Sequence, residues 1–190
     1  MIRRAQGVAV LAIWMLIETS ASTLAPQGPS TPTVEAQVKA AFLFNFAQFV
    51  QWPGAAFQDR NSPFTMCTIG DSIEGVLEKT IDGETLDGRR IVVHRLTSPE
   101  NVRACHLIYV ARPEARRSME IIAAASGVPV LTVGDSEEFI NEGGMIRFTE
   151  AGRRIRFEIN PDAAADASLR VSSRLLRLAD IARPRQRAAR

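Results

Sequence analysis

Apolar and polar positions follow one another along this chain in three rhythms, and each rhythm marks a different kind of segment. At the amino end, Arg3 and Arg4 precede an apolar run from Gly7 to Ile17, and Glu18 to Ala25 is small and mostly polar. Charged, apolar and small-residue regions in that order are the pattern of a cleavable export signal. The competing reading is a membrane anchor. A spanning helix needs about 20 apolar residues, and Glu18 stops this run well short. Cleavage after Ser22 or after Ala25 would satisfy the small-residue rule. Residues 26–33 (PQGPSTPT) have no periodicity and are expected to form a flexible lead-in to a domain over 34–182.

From Val34 to Val50 the rhythm changes to steps of three and four. Val34, Val38, Ala41, Phe42, Phe46 and Phe49 would share one face of a helix. Thr33 can cap it, and Trp52-Pro53 ends it. Beyond this point, short apolar runs alternate with helical and turn segments. Strands are predicted over 64–69, 91–96, 106–110 and 128–133. Helices are predicted from the Gly70-Asp71-Ser72 turn to about Thr80, from Pro113 to about Ala125, and briefly up to Asn141. Met145 to Thr149 and Ile155 to Ile159 alternate about Ala151-Gly152, a hairpin signal. Residues 161–182 read as mostly helical, with Leu169, Val171, Leu175, Leu176, Leu178 and Ile181 as the apolar set. The alternation predicts a layered α/β domain with a largely parallel central sheet and helices on both faces. The late hairpin would add antiparallel strands at one edge. Arg183, Arg185, Arg187 and Arg190 make residues 183–190 a basic tail, expected to be solvated and disordered.

Charge changes the picture little. The chain has 23 Lys+Arg against 21 Asp+Glu. Removing residues 1–25 takes away Arg3, Arg4 and Glu18 and leaves 21 against 20. A balance so near zero argues against an electrostatic nucleic-acid binder. No run after residue 25 is apolar and long enough to span a bilayer, so no membrane insertion is expected once the signal is cleaved. The two cysteines, Cys67 and Cys105, form an even count in an exported chain, which suggests a disulfide over two buried free thiols.

Catalytic signatures are absent: there is no GxSxG elbow, no HExxH pair and no phosphate-binding Walker loop. His94 and His106 lack a second ligand at metal-binding spacing, so structural histidines, no metal and no cofactor are expected. Cys105 and His106 are neighbours on a strand and point to opposite faces, which argues against an activated thiol. One repeated feature stands out. Thr68 to Ser72 (TIGDS) and Thr132 to Ser136 (TVGDS) match at four of five positions, each ending a predicted strand. Local capping explains them: Gly permits the turn, and Asp or Ser caps the helix that follows. Alternatively, they line the carboxyl edge of a parallel sheet, where small molecules bind. Gly70, Asp71, Ser72, Ala111, Arg112, Gly134, Asp135 and Ser136 would then meet at that edge, with Arg112 as its cation.

Several segments in order resemble one family. Val38 to Pro53 (VKAAFLFNFAQFVQWP), FTMCTIGD, ACHLIYV, PVLTVGD, GGMIRF and Arg154 to Ala179 are similar to the YfiR family over residues 34–182. The resemblance implies a periplasmic α/β protein without catalytic activity. Such a protein binds and represses the periplasmic sensor domain of an inner-membrane diguanylate cyclase, which lowers cyclic di-GMP and biofilm formation. The resemblance also implies a possible homodimer and redox sensitivity through cysteines. Cys67 and Cys105 match one cysteine pair of the family, whereas a second pair found in some members near GGMIRF has no counterpart here. The expected partner or dimer surface comprises Phe42, Phe46, Phe49, Trp52, Leu175 and Leu178, residues that ordinary core packing would also explain. A periplasmic small-molecule binder using the GDS edge is the competing function.

Overall fold

Thr33 opens the first helix as expected, its hydroxyl accepting from the Ala36 N–H at 3.1 Å. This helix, α1 (Val34–Phe49), runs straight into a two-residue strand, β1 (Val50–Gln51). The structure is a computed structural model that describes residues 32–182 except 71, 72 and 153. The predicted signal, most of the lead-in and the basic tail therefore lie outside the described residues. The remaining elements are β2 (Phe64–Ile69), α2 (Glu74–Thr80), β3 (Thr85–Leu86), β4 (Arg89–Leu96), β5 (Leu107–Val110), α3 (Ser118–Ala125), β6 (Leu131–Gly134), β7 (Ile146–Ala151), β8 (Arg154–Ile159), α4 (Pro161–Asp166), β9 (Arg170–Val171), α5 (Ser173–Leu176) and β10 (Asp180–Ile181).

Eight strands form the main sheet in the order β10-β8-β7-β6-β5-β2-β4-β3. The centre is parallel from β4 through β7, and the predicted hairpin is the antiparallel pair β7–β8. A separate antiparallel ladder joins β1 to β9. Period-2 alternation sorts the sheet's side chains onto two faces. Phe64, Met66, Leu107, Tyr109, Leu131 and Val133 meet α1, α2, α4 and α5 in the larger core. Cys67, Ile69, Ile108 and Val110 meet Ile121 and Ala125 of α3 on the other face. This is the layered α/β architecture that the alternation of elements predicts, with helices on both faces.

The Cys67–Cys105 disulfide forms, with Cα atoms 5.9 Å apart. Its basis is the adjacency of β2 and β5, since Cys105 lies just before β5. Four rings, Phe42, Phe46, Phe148 and Phe157, pack between α1 and the hairpin at centroid distances of 4.9 to 6.1 Å.

Three local expectations are corrected. The buried stripe of α1 is Lys39, Ala40, Leu43, Phe46 and Ala47, while Val34 and Ala41 are exposed. The helix is apolar on most sides, and a charged residue in the true stripe disguised it. The segment after Ser136 is a turn and not a regular helix. It closes through Gly143 N–H to Ile140 C=O and Gly144 N–H to Phe139 C=O, with Gly143 at φ +102°. Residues 161–182 are not one helix. Ser168 takes φ +61° and ends α4, with Ser168 N–H donating to Ala165 C=O and Leu169 N–H to Ala164 C=O. That is a Schellman cap with serine in the usual glycine position, so no glycine marks the break. The freed chain then pairs as β9 and β10.

Candidate functional site

The chain passes from β2 to β4 on one side and then returns to β5 on the other. Such a reversal of strand order opens a crevice at the carboxyl ends of the strands. Here it is a cleft of about 390 Å³ whose polar lining is Thr33, Glu35, Lys39, Tyr109, Arg112, Asp135 and Glu150. Ala36, Ile73, Ala111 and Pro113 supply apolar wall.

Two elements converge on Asp135. Lys39 reaches it from α1, its Nζ 2.9 Å from Oδ2. The Tyr109 hydroxyl at the end of β5 donates to the same oxygen at 2.5 Å. Lys39 also donates to Glu35 at 2.5 Å, one helical turn back. The Lys39 and Asp135 side chains are only 8% and 5% exposed, so this is a buried ion pair. Burial by itself would lower the Lys39 pKa, but the hydrogen bonds its ammonium donates to Glu35 and Asp135 outweigh it and the net shift is upward. Glu35 is held below its ordinary value by the Lys39 hydrogen bond. Burial, reinforced by the Asp135 charge, pushes the Tyr109 hydroxyl far up, so it stays protonated and donating. Asp135 Oδ1 and Ser136 Oγ are buried without a hydrogen-bond partner among the described residues. Arg112 stands at the rim, exposed, 3.6 Å from the exposed Glu150.

The predicted edge is thus partly assembled. Arg112 and Asp135 line the cleft together, while Ser136 does not line it. Asp71 and Ser72 lie outside the described residues. Gly70 has φ +89°, and a Cβ there would lie 2.6 Å from Glu114 Cγ, so the backbone turn after β2 requires glycine. Glu35, Lys39 and Tyr109 were missed. The only signal for them was a lysine inside an apolar helical segment.

The expected partner surface divides. Phe42, Phe49 and Trp52 are half-buried, and Leu178 is 65% exposed. Phe46 and Leu175 are buried and offer no surface, because both side chains are part of the larger core. Phe49 adjoins α5 through Arg174, whose guanidinium lies 5.3 Å from the ring centre.

Residues 36–180 match the family described as YfiR/HmsC-like. The chain belongs to that family. No curated protein matches the chain. Within the described residues of this YfiR/HmsC-like protein, no helix is long and apolar enough to cross a membrane. Nor does any group of three or more His, Cys, Asp or Glu come together there that could hold a metal.

At the opposite, amino edge of its sheet, His106 is a structural residue whose two ring nitrogens are both used. Nδ1 accepts from the Thr65 N–H at 2.9 Å, so Nε2 carries the proton and donates to Ala56 C=O at 3.1 Å. The ring is stacked between Phe57 and Phe64. Burial, aided by the charge of Arg89 and opposed by the Ala56 bond, puts its pKa below the ordinary 6.5. The folded state therefore binds fewer protons than the unfolded state just below pH 6.5, and stability falls as pH drops through that range. Urea unfolding at pH 7.5 and 5.5 is expected to show a loss in the native protein and a flatter profile in His106→Gln. Equal slopes for the two would remove His106 as the cause.

Proposed function

We propose that the mature protein acts in the periplasm as a non-enzymatic regulator. It binds the periplasmic sensor domain of an inner-membrane diguanylate cyclase and represses the enzyme, lowering cyclic di-GMP and biofilm formation. The observation that carries this reading is the family match across nearly all of the described domain. The export pattern at Arg3 to Ala25 supports it, as does the lack of a catalytic motif.

A periplasmic protein reaches a cytoplasmic catalytic domain only by favouring one conformation of the membrane protein's outer domain. Shifting such a partner from mostly on to mostly off takes a preference of about 5.5 kcal/mol between its two states. An interface of roughly 1,200–2,000 Å² with an apolar centre supplies that. The half-buried Phe42, Phe49 and Trp52, with the exposed Leu178, are the proposed contacts.

A clean deletion is expected to raise cyclic di-GMP and surface attachment, and re-expression of the intact chain to reverse both. Unchanged cyclic di-GMP in the deletion strain would contradict the proposal.

A further inference from the structure

The Lys39–Asp135 pair sits where a stability argument does not call for it. Buried ion pairs rarely stabilise more than apolar residues of similar volume. Ionisable groups gathered in a cleft at a strand-order reversal are instead what binding sites contain. The lining also has a definite chemical bias. It holds three carboxylates, Glu35, Asp135 and Glu150, against two cations, Lys39 and Arg112, for a formal net charge of one negative. Both cations already face carboxylates, Lys39 on Glu35 and Asp135, and Arg112 on Glu150. Asp135 Oδ2 takes two donors, Lys39 and Tyr109, while Asp135 Oδ1 takes none among the described residues. What the cleft lacks is a hydrogen-bond donor carrying one positive charge. An anion would find every described cation of the lining engaged and three carboxylates opposing it.

We infer that this cleft binds a small aliphatic primary amine. Its ammonium would satisfy Asp135 Oδ1 and share the carboxylates of Glu35 and Glu150. Its alkyl body would lie against Ala36, Ile73, Ala111 and Pro113. The N–H groups matter as much as the charge, because an unsatisfied buried acceptor is relieved only by a donor. Oδ1 has essentially no solvent-exposed surface, so entry has to part the cleft wall. The most exposed charged pair of the lining is Arg112–Glu150, which forms the rim. This site is independent of the partner surface proposed above.

The test is calorimetric titration of the purified mature protein with butylamine, tetramethylammonium and inorganic phosphate. Butylamine is expected to bind one site and raise the melting temperature. Tetramethylammonium, with the same charge and no N–H, should bind at least tenfold more weakly. Glu35→Gln and Glu150→Gln alter exposed side chains and are expected to leave the fold intact, which circular dichroism checks. Each should weaken butylamine binding, and the two together by about tenfold or more. Asp135→Asn, checked for folding by circular dichroism, should weaken it further. The inference is overturned if butylamine does not bind, if tetramethylammonium binds equally well, if phosphate binds in its place, or if the two glutamate changes leave the affinity unaltered.

Discussion

Replacing Lys39 with methionine should destabilise the protein by about 3–5 kcal/mol, the loss typical when one partner of a buried ion pair is removed. Methionine fills a similar volume, so the loss is electrostatic and not a cavity effect. The Asp135 carboxylate would remain 5% exposed with the Tyr109 hydroxyl as its sole described donor. Glu35 contributes little to this loss because its side chain is 53% exposed and water replaces the lysine there. Urea denaturation gives the measurement: at a slope of about 1–3 kcal/mol per molar urea, the midpoint should fall by roughly 2 M. The double variant Lys39→Met/Asp135→Asn removes the orphaned charge and should recover a good part of the loss, since an amide oxygen can still accept from Tyr109. A single variant that loses under about 1 kcal/mol, or a double variant worse than the sum of its parts, would show that the pair is not the coupled buried unit described here.

Breaking the Cys67–Cys105 bridge should have an effect of the same order. The disulfide closes a loop across 38 positions. In the chain-entropy treatment, releasing a loop of that length from the unfolded state costs the folded protein about 4 kcal/mol. In a domain of this size, that corresponds to roughly 10 °C in melting temperature. Both residues are almost completely buried, Cys67 at 1% and Cys105 at 3%. The loop spans α2, β3, β4 and the short helical turn over Pro99–Ala104. The double variant Cys67→Ala/Cys105→Ala, compared with the oxidised native protein and with native protein kept under reductant, separates the cross-link from the packing of the sulfurs. Similar losses in the reduced native protein and the variant are expected. Reduction that leaves the melting temperature unchanged would mean that the unfolded chain is not constrained by this link.

Much of the architecture was legible because its signals are local. The six-residue apolar strand FTMCTI, the alternating MIRFT and IRFEI segments about Ala151-Gly152, and the Thr33 cap each carry their own instruction within a few residues. The even cysteine count, in a chain opening with an export pattern, was enough to favour the bridge. The break inside residues 161–182 was not legible. A serine at φ +61° performs the role that glycine usually marks, and the two-residue strands β9 and β10 exist only because β1 and β8 are there to pair with them.

The site was legible in part and for the same reason. The GDS repeat located Asp135 at a strand end, and the strand–turn pattern located Arg112 beside it. Neither could locate Lys39, which lies 96 positions from Asp135 in the chain, or show that Tyr109 would donate to the same carboxylate. A helix that is apolar on most sides has no preferred face of its own. Which stripe of α1 turns inward was settled by the sheet it packs on, where Phe148 and Phe157 receive Phe46 and Asp135 receives Lys39. Local rhythm determined which segments are strands and helices. Strand order decided which of their ends share a cleft, because it depends on contacts between segments far apart in the chain.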